Sequence, residues 1–433
     1  MGKQRPGLSR VFLLSLLALL ALPEALRAQG VSLNGVGPVN RAMAGAATGA
    51  PLDAAGALMW NPASISGLPS SEVDFGMELL LPTEKLSSTA FGLQGSTGGE
   101  PGVSLIPEAA FVHKSEDSPW TYGLGMFAIG GFSTNYPASL TNPVLTPQPP
   151  NGVGLGRVSS VAEFYQVVPT VAFALSNKLS VGVAPTLTIA RLDVNPMVLV
   201  APDDAAGTGY TYPTGDGTRY HFGGGFQLGV YYAASEAWNF GLCFKSPQWF
   251  ERFTSNTVNE LGQPEVASVR FDYPLIVSLG TSYTGIENWL FACDVRYFNY
   301  SGAAGFGSPA AFAANGAVTG LGWKDAISVN TGAQYCATQQ LTLRMGYQFD
   351  SSPIDSDTAF FNVASPLVSE HTVAVGFSYR LTGNEVISVA YLHAFQNQVS
   401  GPIQAPGLGA IPGTSVTSTI SADALGAGLS IQY

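Results

Sequence analysis

The stretch LTLRMGYQFD, residues 341–350, decides the fold class. Beginning with Leu341, every second residue is apolar, and the residues between them are small, polar or charged. Successive side chains of a β-strand point to opposite faces, so this stretch gives a strand one apolar face and one polar face. The same alternation recurs at residues 289–297, 372–380 and 425–433. The sequence therefore predicts a protein built from amphipathic β-strands.

The composition excludes several classes of protein. Charged residues make up 11% of the 433 residues, whereas a soluble domain has about 25%. Hydrophobic residues make up 46%, yet no apolar run after residue 30 approaches the length of about 18 residues that a membrane-spanning helix needs. These features disfavour a soluble enzyme, a disordered chain and a helical membrane protein, and they favour a closed membrane β-barrel. The net charge of −11 disfavours nucleic-acid binding, which requires a basic surface.

Short and long connections alternate along the chain after Glu72. Tight turns are predicted near residues 115–119, 176–178, 235–237, 285–288, 337–340 and 382–384. Long connections are predicted near residues 87–103, 133–161, 195–218, 253–265, 302–322, 351–369 and 398–416. Short turns at one end and long loops at the other are typical of bacterial outer-membrane barrels. We predict an all-β fold, a 14-stranded antiparallel transmembrane β-barrel over residues 72–433, with both chain ends on the periplasmic side.

The residues before the barrel divide into two parts. Basic residues precede the short apolar stretch Val11–Leu22, which predicts a secretory signal peptide over residues 1–28. Residues 29–71 are rich in Gly and Ala, with little charge and weak alternation. A fourteen-strand ring is wider than a ring whose own side chains fill the interior. We therefore predict that residues 29–71 form a plug, or hatch, inside the barrel.

Short motifs in this segment resemble those of a known family. The motifs are Gly37, RAMAGAA at residues 41–47, Asp53-Ala54 and WNPA at residues 60–63. Together they look like the N-terminal hatch of the FadL-type long-chain fatty-acid transporters, a family that includes importers of aromatic hydrocarbons. Asn61, Pro62 and Ala63 form the most recognisable element. Segments at 271–274 (FDYP), 323–325 (WKD) and 343–347 (LRMGY) extend the similarity in the same order. Gly56 and Ser64 stand where the family commonly has Ser and Gly.

The resemblance implies a function and a route for the ligand. An outer-membrane barrel of this kind takes up fatty acids or hydrocarbons by diffusion. The ligand is captured among extracellular loops, enters the lumen, and leaves sideways through a gap at an inward kink of the third strand. The third predicted strand, about residues 120–132, contains glycines that permit a bulge or bend. The candidates for this lateral opening are Gly123, Gly125, Gly130 and Gly131. Glycine is abundant in other strands too, as at residues 223–225, so the alternative is that these four have no special role.

Candidate ligand-binding residues follow from the chemistry of such a ligand. A hydrophobic ligand needs apolar side chains, and a carboxylate would also need a cation. The apolar candidates, in a loop that corresponds in order to a ligand-capturing loop of the family, are Met197, Val198, Leu199 and Val200. The cationic candidates are Arg191, Arg296 and Arg344. The alternative is that these arginines pair with acidic residues and brace the hatch.

The sequence offers little support for an enzyme. No G-x-S-x-G, P-loop, G-x-G-x-x-G or H-E-x-x-H pattern occurs, and the four histidines lie on four different predicted strands. We predict no enzymatic activity, no catalytic residues, no cofactor and no bound metal. Two alternatives stay open: an outer-membrane hydrolase with a Ser/His site, and a general porin, which would need a charged constriction and no plug. The predicted partners are a hydrophobic small molecule and outer-membrane lipid around a monomeric barrel.

Overall fold

The computed structural model describes residues 30–215 and 219–433, so the predicted signal peptide lies outside the described residues. Within them, fourteen long strands form the main sheet. The first seven are β1 (Glu72–Ala90), β2 (in two pieces, Leu93–Gly98 and Ser104–Lys114), β3 (Trp120–Tyr136), β4 (Val158–Ala174), β5 (Leu179–Asn195), β6 (His221–Ala233) and β7 (Trp238–Lys245). The other seven are β8 (Leu275–Ile286), β9 (Trp289–Asn299), β10 (Ala326–Cys336), β11 (Leu341–Asp350), β12 (His371–Arg380), β13 (Glu385–Gly401) and β14 (Ser415–Gln432).

Smaller elements lie before the barrel and in its long connections. The helices are α1 (Gly37–Ala42) and α2 (Ala54–Trp60), and the 3-10 turns are Ser64–Gly67, Pro143–Leu145 and Ala359–Asn362. Short strands are Trp249–Phe250, Phe253–Val258, Pro264–Val269, Gln404–Ala405 and Gly409–Ala410. Among the described residues, no helix is long and apolar enough to cross a membrane.

The fourteen strands close into a ring. Each strand pairs antiparallel with its neighbours in sequence, and β1 also pairs with β14 in a continuous ladder from Glu72–Gln432 to Thr89–Ser415. The Gln432 amide donates to the carbonyl of Asn384 at 2.9 Å. Asn384 belongs to the tight turn between β12 and β13, so the end of β14 lies on the short-turn side of the ring. The prediction of a 14-stranded antiparallel barrel is confirmed.

The wall has the polarity of a membrane barrel. On β1, Phe75 and Met77 point outward and each is 53% exposed. The alternate residues Asp74, Glu78 and Glu84 point inward and are buried. In a soluble protein the apolar set would be the buried one, whereas the outer face of a membrane barrel meets lipid. The apolar face of these strands is therefore the lipid-facing surface.

Several strands extend further than the sequence predicts. The third strand continues four residues beyond Phe132 to Tyr136, and the expected loop at 87–103 contains the end of β1 and the first piece of β2. The expected loop at 253–265 contains most of a hairpin, in which Phe253–Val258 pairs with Pro264–Val269. The added segments lack a regular alternation of apolar and polar residues, as in LQGSTG at residues 93–98. Alternation therefore no longer marks them in the sequence.

An epitope tag inserted between Ser356 and Asp357 is expected to be accessible on intact cells, because both residues are exposed in a long connection. The same tag after Gly383, in the exposed turn between β12 and β13, is expected to be hidden until the outer membrane is permeabilised. Antibody labelling of intact and permeabilised cells measures both positions. The reverse pattern would mean that the barrel has the opposite orientation.

Candidate functional site

The N-terminal segment, residues 30–71, packs against the inward-facing side chains of the barrel. Its most buried contact is with β9, where Arg296 and Asp294 are 0% exposed and form an ion pair of 2.7 Å. The Arg296 guanidinium stacks 3.4 Å above the ring of Trp60 and donates to the carbonyl of Gly45 at 2.5 Å. Asp294 Oδ2 accepts from the amides of Ala47 and Thr48, both at 2.9 Å. The buried Arg296–Asp294 pair therefore contacts three parts of the segment: Gly45, the Ala47–Thr48 backbone and Trp60.

Asn61 forms a second connection between the segment and the wall. Its Nδ2 donates to the carbonyl of Thr48 at 2.9 Å and to that of Val230, on β6, at 3.0 Å. Its Oδ1 accepts from the amide of Ala63 at 3.0 Å. Pro62 and Ala63 approach the wall backbone so closely that a Cβ on Gly182 would lie 2.4 Å from them. The element Asn61-Pro62-Ala63 therefore lies directly against the inner wall.

The other cationic candidates have different surroundings. Arg344 donates to Gln334 at 2.8 Å and to Ser378, both on the wall. Burial and the nearby Asp74 carboxylate raise the pKa of Asp53, in the N-terminal segment, to about 8. Arg191 points outward from β5 and pairs with Asp193 on the same outer face. The Arg191 side chain therefore does not face the lumen.

The third strand is irregular at one of the predicted glycines. Its ladder with β4 shifts register between Ala128 and Gly130, so Ile129 is an extra, bulged residue. On its other side, β3 pairs with β2 only from Thr121 to Phe127. Gly123 and Gly125 lie in the regular part, where a Cβ would meet Leu58 of α2 and the ring of Phe127 respectively. Of the four candidates, Gly130 and Gly131 are therefore the ones at the irregularity.

The beginning of the N-terminal segment occupies the inner side of this irregularity. The amide of Leu33 donates to the carbonyl of Ile129 at 3.0 Å, and the amide of Gly131 donates to the carbonyl of Val31 at 3.1 Å. Ser32 and Gly130 form an antiparallel bridge. In this part of β3 the backbone has no ladder with β2. The N-terminal segment supplies hydrogen bonds to some of these backbone groups instead.

A cavity of about 40 Å³, here called the upper chamber, lies beside β3, β4 and β5 and the long connections. None of its described lining residues is charged. It is lined by six phenylalanines, namely Phe132, Phe164, Phe253, Phe271, Phe306 and Phe361. Val198 and Leu199 also line it, while Met197 is 2% exposed and Val200 packs partly buried on the same hydrophobic cluster. The candidate loop is therefore folded into the chamber wall rather than exposed.

A second cavity of about 160 Å³, here called the wall chamber, lies inside the barrel at the place where β2 and β3 part. Ser104 of β2 and residues 131–133 of β3 form its outer edge. Its lining includes Arg41, Glu78 and Glu84, and the first two form an ion pair of 2.7 Å. The wall chamber is therefore partly charged, unlike the upper chamber.

The four described histidines lie on four different strands, β2, β6, β12 and β13. His393 pairs with Asp423 at 2.8 Å on the outer face, and His371 contacts Tyr347. No group of three or more His, Cys, Asp or Glu side chains in the described residues is arranged to hold a metal ion.

Comparisons with known proteins agree with this architecture. Residues 14–433 match the family model described as "Outer membrane protein transport protein (OMPP1/FadL/TodX)". The fold is similar to the crystal structure of a Pseudomonas aeruginosa FadL homologue, with 13% identity, 93% of this chain and 99% of that chain covered, and a TM-score of 0.71. No curated protein sequence matches the chain significantly.

Two transporters of aromatic compounds have a similar fold. The P. putida toluene transporter TodX has 15% identity and a TM-score of 0.66, with 93% of this chain and 99% of that chain covered. The Ralstonia pickettii toluene transporter TbuX has 17% identity and a TM-score of 0.66, with the same coverage. At these identities the likeness establishes the fold alone.

Proposed function

The chain belongs to the OMPP1/FadL/TodX family of outer membrane transport proteins, and on that premise we propose that it takes up uncharged hydrophobic molecules by diffusion through the upper chamber. The observation that carries this proposal is the chamber lining, which has six phenylalanines and no charged described residue. Apolar and aromatic walls are what a site for a hydrocarbon requires. Two structurally similar proteins are named toluene transporters, which agrees with an aromatic ligand.

A neutral ligand fits this chamber better than a fatty acid does. An ionised carboxylate without a cationic partner is costly in an apolar site. Arg296 and Arg41 are each engaged by an acidic side chain below the chamber, and Lys245 lies 4.5 Å from the ring centroid of Trp60. None of these cations lines the upper chamber. We therefore place aromatic and aliphatic hydrocarbons ahead of long-chain fatty acids as substrates.

The exit that we propose is lateral, between β2 and β3. It is supported by the bulge at Ile129, by the loss of β2 pairing beyond Phe127, and by the wall chamber directly behind this place. A hydrophobic molecule that leaves here enters the lipid of the outer membrane directly and does not pass through the periplasmic end of the barrel. In this proposal residues 29–71 act as a hatch that blocks the direct route through the lumen. The hatch also argues against the general porin.

The same proposal places one barrel, acting alone, in the lipid of the outer membrane. The ring closes within a single chain, so no partner subunit is needed to satisfy an open sheet edge.

Replacing Val198 and Leu199 with Asp is expected to lower toluene uptake by roughly tenfold or more, because two carboxylates in an apolar chamber oppose ligand burial. The matched control is the same pair of substitutions at Val153 and Leu140, which are 82% and 80% exposed on another loop. Uptake of radiolabelled toluene by cells that depend on this protein measures both variants. Unchanged uptake in the first variant, at normal surface levels, would remove the upper chamber from the route.

Substrate class is tested directly by competition. Unlabelled toluene is expected to compete with labelled toluene, whereas oleate is expected to compete weakly. Strong competition by oleate would contradict the preference for uncharged ligands.

A further inference from the structure

We propose that Phe132 is the gate between the upper chamber and the wall chamber, and that it selects ligands by size; this inference rests on the proposed function. Among the described residues, Phe132 is the only one that lines both chambers. A ligand that moves from one chamber to the other must therefore pass its ring. Neither the family resemblance nor the alternation of the strand singles out this residue.

The bulge in β3 explains why Phe132 points inward. From Thr121 to Phe127 the odd-numbered residues face the lumen and the even-numbered residues, such as Met126, are exposed outside. The extra residue Ile129 reverses this phase, so that even-numbered residues beyond Gly130 face inward. Without the bulge, Phe132 would face lipid, since a one-residue shift moves every side chain to the opposite face.

The backbone around Phe132 is less constrained than the rest of the wall. Phe132 is paired with Ala162 of β4, but β2 offers no continuous ladder on the other side. The nearest contacts on that side are a bond of 2.9 Å from Ser133 Oγ to the carbonyl of Pro101 and one of 2.7 Å from the Glu100 amide to the carbonyl of Asn135. A strand held by one ladder moves more readily than a strand held by two. The ring of Phe132 can thus shift without opening the barrel.

The gate also separates two different environments. None of the described residues that line the upper chamber is charged, whereas the wall chamber contains the Arg41–Glu78 ion pair and Glu84. With its ring in place, Phe132 separates the charged residues of the wall chamber from a hydrophobic ligand in the upper chamber. A narrow molecule passes when the ring turns, and a wider molecule is retained.

The test compares the uptake of toluene and of naphthalene by cells that carry the full-length protein. In Phe132→Ala the ratio of naphthalene uptake to toluene uptake is expected to rise roughly tenfold, because removal of the phenyl ring widens the passage between the two chambers. Phe132→Leu is expected to give an intermediate ratio, and Phe132→Trp a ratio below that of the wild type. Heat-modifiable mobility in electrophoresis checks that each variant is a folded barrel. Phe132→Leu, the mildest change, keeps the test valid if the alanine variant does not assemble.

The matched control is Phe306→Ala, which removes a phenylalanine that lines the upper chamber alone. It is expected to lower uptake of both molecules and leave their ratio within about twofold of the wild type. The gate is refuted if the Phe132 variants behave as Phe306→Ala does, with both rates reduced and the ratio unchanged. If the wild-type protein imports neither molecule above cells that lack it, the proposed function itself is wrong, and the gate falls with it.

Discussion

Removing residues 29–68 while retaining the leader is expected to convert a nearly closed barrel into an open channel. The ladders of the wall run from strand to strand and from β14 back to β1, whereas the segment pairs with the inner side of β3 at the Ser32–Gly130 bridge and does not lie between two wall strands. The ring should therefore still assemble, and its conductance in a planar bilayer should rise by roughly an order of magnitude or more. Selective uptake of toluene should be lost, because the lumen then admits water and ions.

The control for this deletion is removal of residues 259–263, the tip of the hairpin between Phe253–Val258 and Pro264–Val269. Residues 261–263 of that tip are exposed, and loss of the tip should leave the conductance unchanged. If the hatch deletion conducts no more than the wild type, then the long connections close the barrel and residues 29–71 do not.

Arg296→Met is expected to release the N-terminal segment from β9. The substitution leaves the buried Asp294 carboxylate without its cation and removes the stack on Trp60. Breaking a buried ion pair by removing one partner costs about 3–5 kcal/mol. We expect the segment to become sensitive to protease in mild detergent and the channel to show frequent brief openings.

Two further variants separate this effect from a general loss of stability. Arg191→Met breaks an ion pair on the outer face, where Arg191 is 40% exposed, and exposed pairs contribute about 1 kcal/mol or less. It should leave the segment protected. Asp294→Asn with Arg296→Met removes both charges and should recover part of the protection. Equal sensitivity in all three variants would show that the Arg296 pair does not hold the segment.

The barrel was predictable from the sequence because its signal is local. In β11 the alternation from Leu341 to Asp350 sets both faces of one strand, and the tight turns mark where the neighbouring strands begin. Long-range pairing then follows from the order of strands, since each one pairs with its sequence neighbours. The N-terminal motif Asn61-Pro62-Ala63 was likewise readable as a resemblance.

The site was less predictable, because near the upper chamber the usual polarity of the wall is reversed. On β5, Leu192 and Val194 face inward and Arg191 faces outward. The rule that polar residues face the lumen thus places Arg191 on the wrong side. The sequence also did not identify Phe132 as a lumen-facing residue. The bulged Ile129 reverses which residues of β3 face inward, and the sequence pattern does not reveal the bulge. Arg296 was a candidate for ligand binding, but its partners are brought together only by the fold.

The seam between β1 and β14 has a consequence for the order of assembly. It joins residues that are 360 positions apart, Glu72 and Gln432, and contacts of such separation are slow to form because the intervening chain must first be arranged. β14 is the last strand in chain order, so we expect the seam to be the last part of the ring to close. The N-terminal segment, whose Ala44 accepts a bond from Asn330 on β10, must already be inside at that moment. A chain whose seam shuts early would trap the segment outside, and premature closure is therefore the misfolding event that this architecture has to avoid.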